Sequence, residues 1–241
     1  MFTFATTQSP IIKLWRDGLV FYKNVFSKIW YILLIMMLVA GILQYATALV
    51  PMDTLANAKH AFDRDAIFMG LTATVSLMVQ FYCIGLIFHR MYSIGSGKDI
   101  KLAASMRSVR SKYLSIGTTS LVVFILVLLG ILALVIPGIF LAFALMFSIP
   151  AVICDDATAF KAIAVSLKLA WGNWWRTFCV MFPMFFIQVL CASVVLLIAH
   201  ESSWIVKAIN MVVFTFLSSI IYAFILVQFN DLKLRARKSN E

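Results

Sequence analysis

The chain has 241 residues, of which 63% are hydrophobic and 12% charged, and its mean hydropathy is +1.00. Soluble domains hold about 45–50% apolar and about 25% charged residues, so this composition excludes a soluble globular protein, a disordered chain and a disulfide-stapled secreted scaffold. It predicts an all-α, polytopic membrane protein. The net charge of +10 would suit nucleic acid. No soluble module with groove-reading or base-stacking elements accompanies it, however, and nucleic acid is not expected as a partner.

A helix crosses the ~30 Å hydrocarbon layer with about 20 predominantly apolar residues. The first such run is Ile29–Val50, ended by Pro51, and the second is Ile67–Phe88, closed by His89 and Arg90. Next comes an uncharged stretch, Leu114–Ile153, that is too long for one span. Pro137-Gly138 breaks it, because proline disfavours a continuing helix and glycine permits a turn. The expected result is a hairpin of Leu114–Ile136 and Gly138–Ile153, its second arm short and carrying Pro150. Phe178–Ala199 and Ile205–Phe229 complete six expected spans, the last tolerating Lys207 near its end. Ala46-Thr47-Ala48 is similar to a signal-peptidase site, but the long apolar run and its aromatic-rich leader favour a retained anchor.

Charge placement orients these spans. The segments 1–28, 89–113, 154–177 and 230–241 hold 17 of the 20 Lys and Arg residues and six of the ten acids. The intervening segments hold only Lys59, Arg64 and Lys207 as bases. Under the positive-inside rule both termini are expected in the cytoplasm.

Spans one, three and five are each preceded by a basic, amphipathic stretch that runs into the span through an aromatic residue. These stretches cover residues 10–26, 99–113 and 157–176. The third is the most regular: Phe160, Ile163, Ala164, Leu167, Trp171, Trp174 and Trp175 fall on one apolar stripe at helical spacing. Asp156 stands where it could cap that helix, or Asp155-Asp156 could pair with Lys161. Such a helix is too polar to span, and its aromatics suit the headgroup zone. The chain therefore reads as three units, each an interfacial helix followed by a transmembrane hairpin.

The basic residues need only fix orientation, yet near a surface each is worth about 1 kcal/mol of attraction to anionic lipid. Lys161, Lys168 and Arg176, with Trp171, Trp174 and Trp175, are the candidate headgroup contacts. The expected spans contain no Asp, Glu, Arg or His, the residues that pumps and proton-coupled carriers place there. Their polar groups are amides such as Gln80, Gln188 and Asn210, which usually link helices. Gly138/Ala142 and Ala144/Ser148 form small-xxx-small pairs that permit close packing. Cys83, Cys154, Cys179 and Cys191 show no zinc or redox spacing. On the outer side His60 and Asp63, with Asp65, His200 and Glu201, could form a metal or acid–base site, but two polar loops look the same by chance. No catalytic, metal or cofactor motif is matched.

Trp15-Arg16-Asp17-Gly18, Val135-Ile136-Pro137-Gly138-Ile139, Ile149-Pro150-Ala151-Val152 and Ala170-Trp171-Gly172-Asn173 resemble the bacterial YciC-type inner-membrane proteins. They also resemble the membrane domain fused to some glycerophosphodiester phosphodiesterases. The resemblance implies a protein of the bacterial cytoplasmic membrane without an established activity, and no phosphodiesterase domain is present to carry that chemistry. The expectation is a non-enzymatic, lipid-associated or scaffolding envelope protein. Its partners would be anionic inner-leaflet lipids, with a protein partner or a second copy left open. The alternative is a passive transporter or flippase-like component for small or lipidic cargo.

Overall fold

The computed structural model describes residues 3–48, 64–98, 100–198 and 204–238. These residues form eight helices and no strand: α1 (Ile11–Ala48), α2 (Arg64–Gly95), α3 (Leu102–Ala133), α4 (Val135–Leu145), α5 (Ser148–Cys154), α6 (Ala159–Trp171), α7 (Trp174–Ile198) and α8 (Trp204–Lys238). Six stretches are long and apolar enough to cross a membrane, namely Ile11–Tyr45, Ile67–Gly95, Leu102–Ala133, Val135–Cys154, Trp174–Val195 and Ile205–Lys238. The fourth comprises α4 and α5 together.

In the first two units the basic stretch and the span are one continuous helix. No proline or paired breaker separates residues 10–26 from the first span or 99–113 from the third, so the backbone hydrogen bonds run on. At 1.5 Å per residue α1 is about 57 Å long and α3 about 48 Å, well beyond a ~30 Å hydrocarbon layer. The surplus carries the basic residues. The third unit differs, because a turn at Gly172-Asn173 ends α6 at Trp171 and lets α7 start at Trp174.

The hairpin between α3 and α4 turns three residues earlier than the sequence suggests. Leu134 alone is extended (φ −163°, ψ 140°), and Pro137 lies inside the first turn of α4, where its missing N–H costs nothing. Glycine makes so abrupt a reversal possible. A Cβ on Gly130 would stand 2.9 Å from the Cα of Gly138, and one on Gly138 would stand 2.6 Å from the nitrogen of Ile131. Pro150 repeats the arrangement at the start of α5, after the turn at Met146-Phe147.

α1 packs along α2 and α8, and α7 packs along α8. α3 lies against α2 and the returning α4, while α5 and α6 fill the space between them and α8. Phe21, Phe88, Phe147 and Phe224 are the largest fully buried side chains of this core. Val135–Cys154 is the most buried of the six candidate spans, in keeping with its small residues.

Candidate functional site

α6 carries three distinct faces. Ala159, Ala162, Ile163, Ser166, Leu169 and Ala170 are buried, and the hydroxyl of Ser166 donates to the carbonyl of Ala144 in α4 at 2.7 Å. Small side chains at helical spacing let α6 approach α4 and α5 closely. The opposite side is apolar yet open: Phe160 is 74% exposed and Trp171 72%, with Ala164 exposed and Leu167 half-buried between them. At about 100° per residue, Lys161 and Lys168 share a third face centred about 80° beyond that stripe, and both are exposed. Ile163, expected on the stripe, turns into the core instead, and Trp174 and Trp175 leave it because they begin α7.

Ion pairs fix how α6 sits. Asp155, just before it, pairs with Lys233 of α8. Arg176, just after it, pairs with Asp231 of α8 at 3.0 Å. Those two α8 residues are two apart and so face opposite sides of their helix. α6 and α8 touch only over a short stretch. α6 thus lies across α8, bridging two of its sides.

Asp231 is the hub of this end of the molecule. Its side chain is 3% exposed. One oxygen accepts from Arg176 Nε at 3.1 Å and Arg235 Nε at 2.8 Å, and the other from the backbone N–H of Ser9 at 2.8 Å. Both guanidinium groups also donate to the Ser9 carbonyl, and Asn230 donates to the Ala5 carbonyl at 2.9 Å. The extended N-terminal stretch is thereby tied onto α7 and α8. Asp156, at φ 51°, pairs with Lys112. It does not cap α6, whose N-cap is Thr158 with no side-chain cap bond.

These pairs sort the basic residues around α6 into two groups. Lys112, Arg176, Lys233 and Arg235 each hold a carboxylate. Among the described residues Lys161 and Lys168 hold none and make no hydrogen bond. Arg176, expected among the headgroup contacts, is therefore committed to Asp231. Trp174 is half-buried, whereas Trp171 and Trp175 are open.

An aromatic path leads from α6 along the outer face of α7. The Phe140 ring meets Trp171 edge-on at 5.6 Å and stacks on Trp174 at 5.2 Å. Trp174, Phe178, Phe182 and Phe186 then stack successively along α7. Beside them a wholly apolar groove of about 370 Å³ opens between α4 and α7, lined by residues that include Ala142, Phe143 and Phe182. A second apolar groove, of about 550 Å³, lies between α2, α3 and the α4–α5 joint.

The amides do not line either groove. Gln188 donates to Ser218 at 2.9 Å, linking α7 to α8, and Gln80 reaches Ser76 on its own helix. The four cysteines are free thiols. His60, Asp63, His200 and Glu201 lie outside the described residues, as does the side chain of Asp65. Among the described residues no cluster of three or more His, Cys, Asp or Glu forms.

Asp231, Ser9 and Phe140 were not singled out from the sequence. The spacing of Asp231 and Arg235 shows their i,i+4 pair, but nothing local points to Arg176. Fold and site together define, among the described residues, an all-helical protein with six stretches long and apolar enough to cross a membrane, and the shorter α6 packed against them. No family model, no curated protein and no solved structure matches the chain.

Proposed function

We propose that the protein is a multi-pass protein of the bacterial cytoplasmic membrane, with both termini in the cytoplasm. In this reading α6 lies in the inner leaflet and holds anionic lipid headgroups, and the role is non-enzymatic: lipid association or organisation of the envelope. One observation carries the reading. Lys161 and Lys168 are the cations of α6, among the described residues they lack the carboxylate partners that Lys112, Arg176, Lys233 and Arg235 have, and they flank an apolar stripe whose ends, Phe160 and Trp171, are exposed. A helix with an apolar stripe, adjacent cations and a tryptophan at its end suits the boundary between headgroups and acyl chains. The Trp-Gly-Asn turn after α6 belongs to the segments that resemble YciC-type proteins, and the positive-inside distribution supports the orientation.

The test is co-purified lipid. Protein extracted in mild detergent should retain anionic phospholipid, quantified by mass spectrometry, and Lys161→Gln with Lys168→Gln should lower that content relative to wild type. Equal content in the two proteins would contradict the reading.

A further inference from the structure

The exposed stripe of α6 ends at Trp171, which ring contacts link to the groove between α4 and α7. Lys168 stands one helical turn before Trp171. The Trp171 ring meets Phe140, the neighbour of Ile139 in the groove wall. From the same point the stacked rings of Trp174, Phe178 and Phe182 descend to the opposite wall, which Phe182 and Phe186 form. A cation without a partner among the described residues, an aromatic rim and an apolar slot thus follow one another along a single path. That is the order of groups in a glycerophospholipid: charged phosphate, glycerol ester and hydrocarbon chain.

We propose that this groove is an acyl-chain site, holding one chain of an anionic glycerophospholipid whose phosphate lies at Lys168. The proposal rests on the reading of α6 as a headgroup-binding helix and adds to it a defined chain-binding slot. Size agrees. A methylene fills about the volume of a water molecule, ~30 Å³, so the groove of about 370 Å³ takes about a dozen carbons of one chain. Chemistry agrees as well, since every residue lining it is apolar and a polar ligand would lose its hydration without replacement. The lysine selects the anion. The larger groove between α2, α3 and the α4–α5 joint differs in kind. It includes Ser120 and Ser148, whose buried hydroxyl oxygens have no hydrogen-bond partner, and none of its lining residues belongs to α6 or α7.

The test uses the full chain reconstituted in vesicles containing phosphatidylglycerol with a photoactivatable diazirine in mid-chain. In the wild-type protein the adducts should concentrate on α4 and α7; adducts spread evenly over the lipid-facing helices would overturn the proposal. Ala142→Trp, which fills the slot, should lower labelling of α7 by roughly tenfold, because the indole takes the space of the chain and an overpacked apolar site does not relax freely. Val123→Phe, in the other groove, should leave it unchanged. Free glycerol phosphate, a headgroup without a chain, should not displace the probe. If Lys161→Gln with Lys168→Gln lowers bound phosphatidylglycerol while Ala142→Trp does not, the slot is refuted and the headgroup reading survives. If a phosphatidylcholine probe of the same chains labels α4 and α7 equally, the assignment of the phosphate to Lys168 is refuted.

Discussion

Arg176 and Asp231, 55 residues apart in sequence, close a buried ion pair at 3.0 Å between the first turns of α7 and the last turns of α8. A second guanidinium, that of Arg235, and the backbone of Ser9 share the same carboxylate. One acid thus joins the N-terminal stretch, α7 and α8. The entry of α7, and with it the end of α6, is set by that joint.

Removing the hub should therefore cost more than removing either spoke. Asp231→Ala leaves two arginines facing each other and the Ser9 amide without its acceptor. The expected loss is about 3–5 kcal/mol, typical of stripping one partner from a buried charge pair. Arg235→Gln, at the more open position, should cost about 1 kcal/mol or less. Thermal unfolding in detergent compares the two directly; equal losses would argue against Asp231 as the hub.

The α3–α4 reversal depends on backbone contact at Gly130 and Gly138. Gly138→Leu places a side chain against the backbone of Ile131, where neither partner can yield, and should destabilise the protein by about 1–3 kcal/mol or more. Gly117→Ala, in α3 with nothing within 4 Å of its Cβ, is the matched control and should gain about 0.5–1 kcal/mol from helix propensity. The check is the difference in unfolding midpoint between the two variants.

Small residues seat α6. Ser166→Ala removes one hydrogen bond and should cost about 1 kcal/mol. Ser166→Leu keeps the helix but overfills the contact with Ala144, and the expected cost is about 1–3 kcal/mol from overpacking. A leucine variant as stable as the alanine variant would mean that α6 does not pack through this face.

Phe4 anchors the N-terminal stretch. Its N–H donates to the Gly95 carbonyl at 2.8 Å, and its ring lies 5.3 Å from Phe21 and directly over Gly95. Gly95→Val should push the ring aside and expose residues 3–10 to protease, while the bundle beyond stays folded. Proteolysis followed by mass spectrometry reads this, and an unchanged cleavage rate would show the anchor to be dispensable.

How much of this was legible in the sequence follows from the range of each interaction. Six apolar stretches and their rough ends are local properties, and composition carried them. The turn at Leu134 was displaced to Pro137 because a proline is tolerated in a helix's first turn, and no local signal separates that position from a break. The merger of two amphipathic stretches with their spans was hidden for a related reason: charge marks where the bilayer ends, not where the helix ends. Periodicity set Lys161 and Lys168 off the apolar stripe, and both are exposed. Arg176 was grouped with them because a basic residue looks the same whether it faces a lipid phosphate or an aspartate 55 residues away. Ile163 was placed on the open stripe because it is apolar, whereas it turns into the core with Leu169 and the small residues of α6 while Phe160 and Trp171 stay outward.

The orientation of α6 is tested most directly by spin labels placed singly at positions 161, 164, 167 and 168 of a cysteine-free protein in anionic vesicles. Labels at 164 and 167 should collide preferentially with oxygen dissolved in the hydrocarbon, and those at 161 and 168 with a water-soluble nickel chelate. Equal nickel accessibility at all four positions would place the whole helix in water and contradict the account.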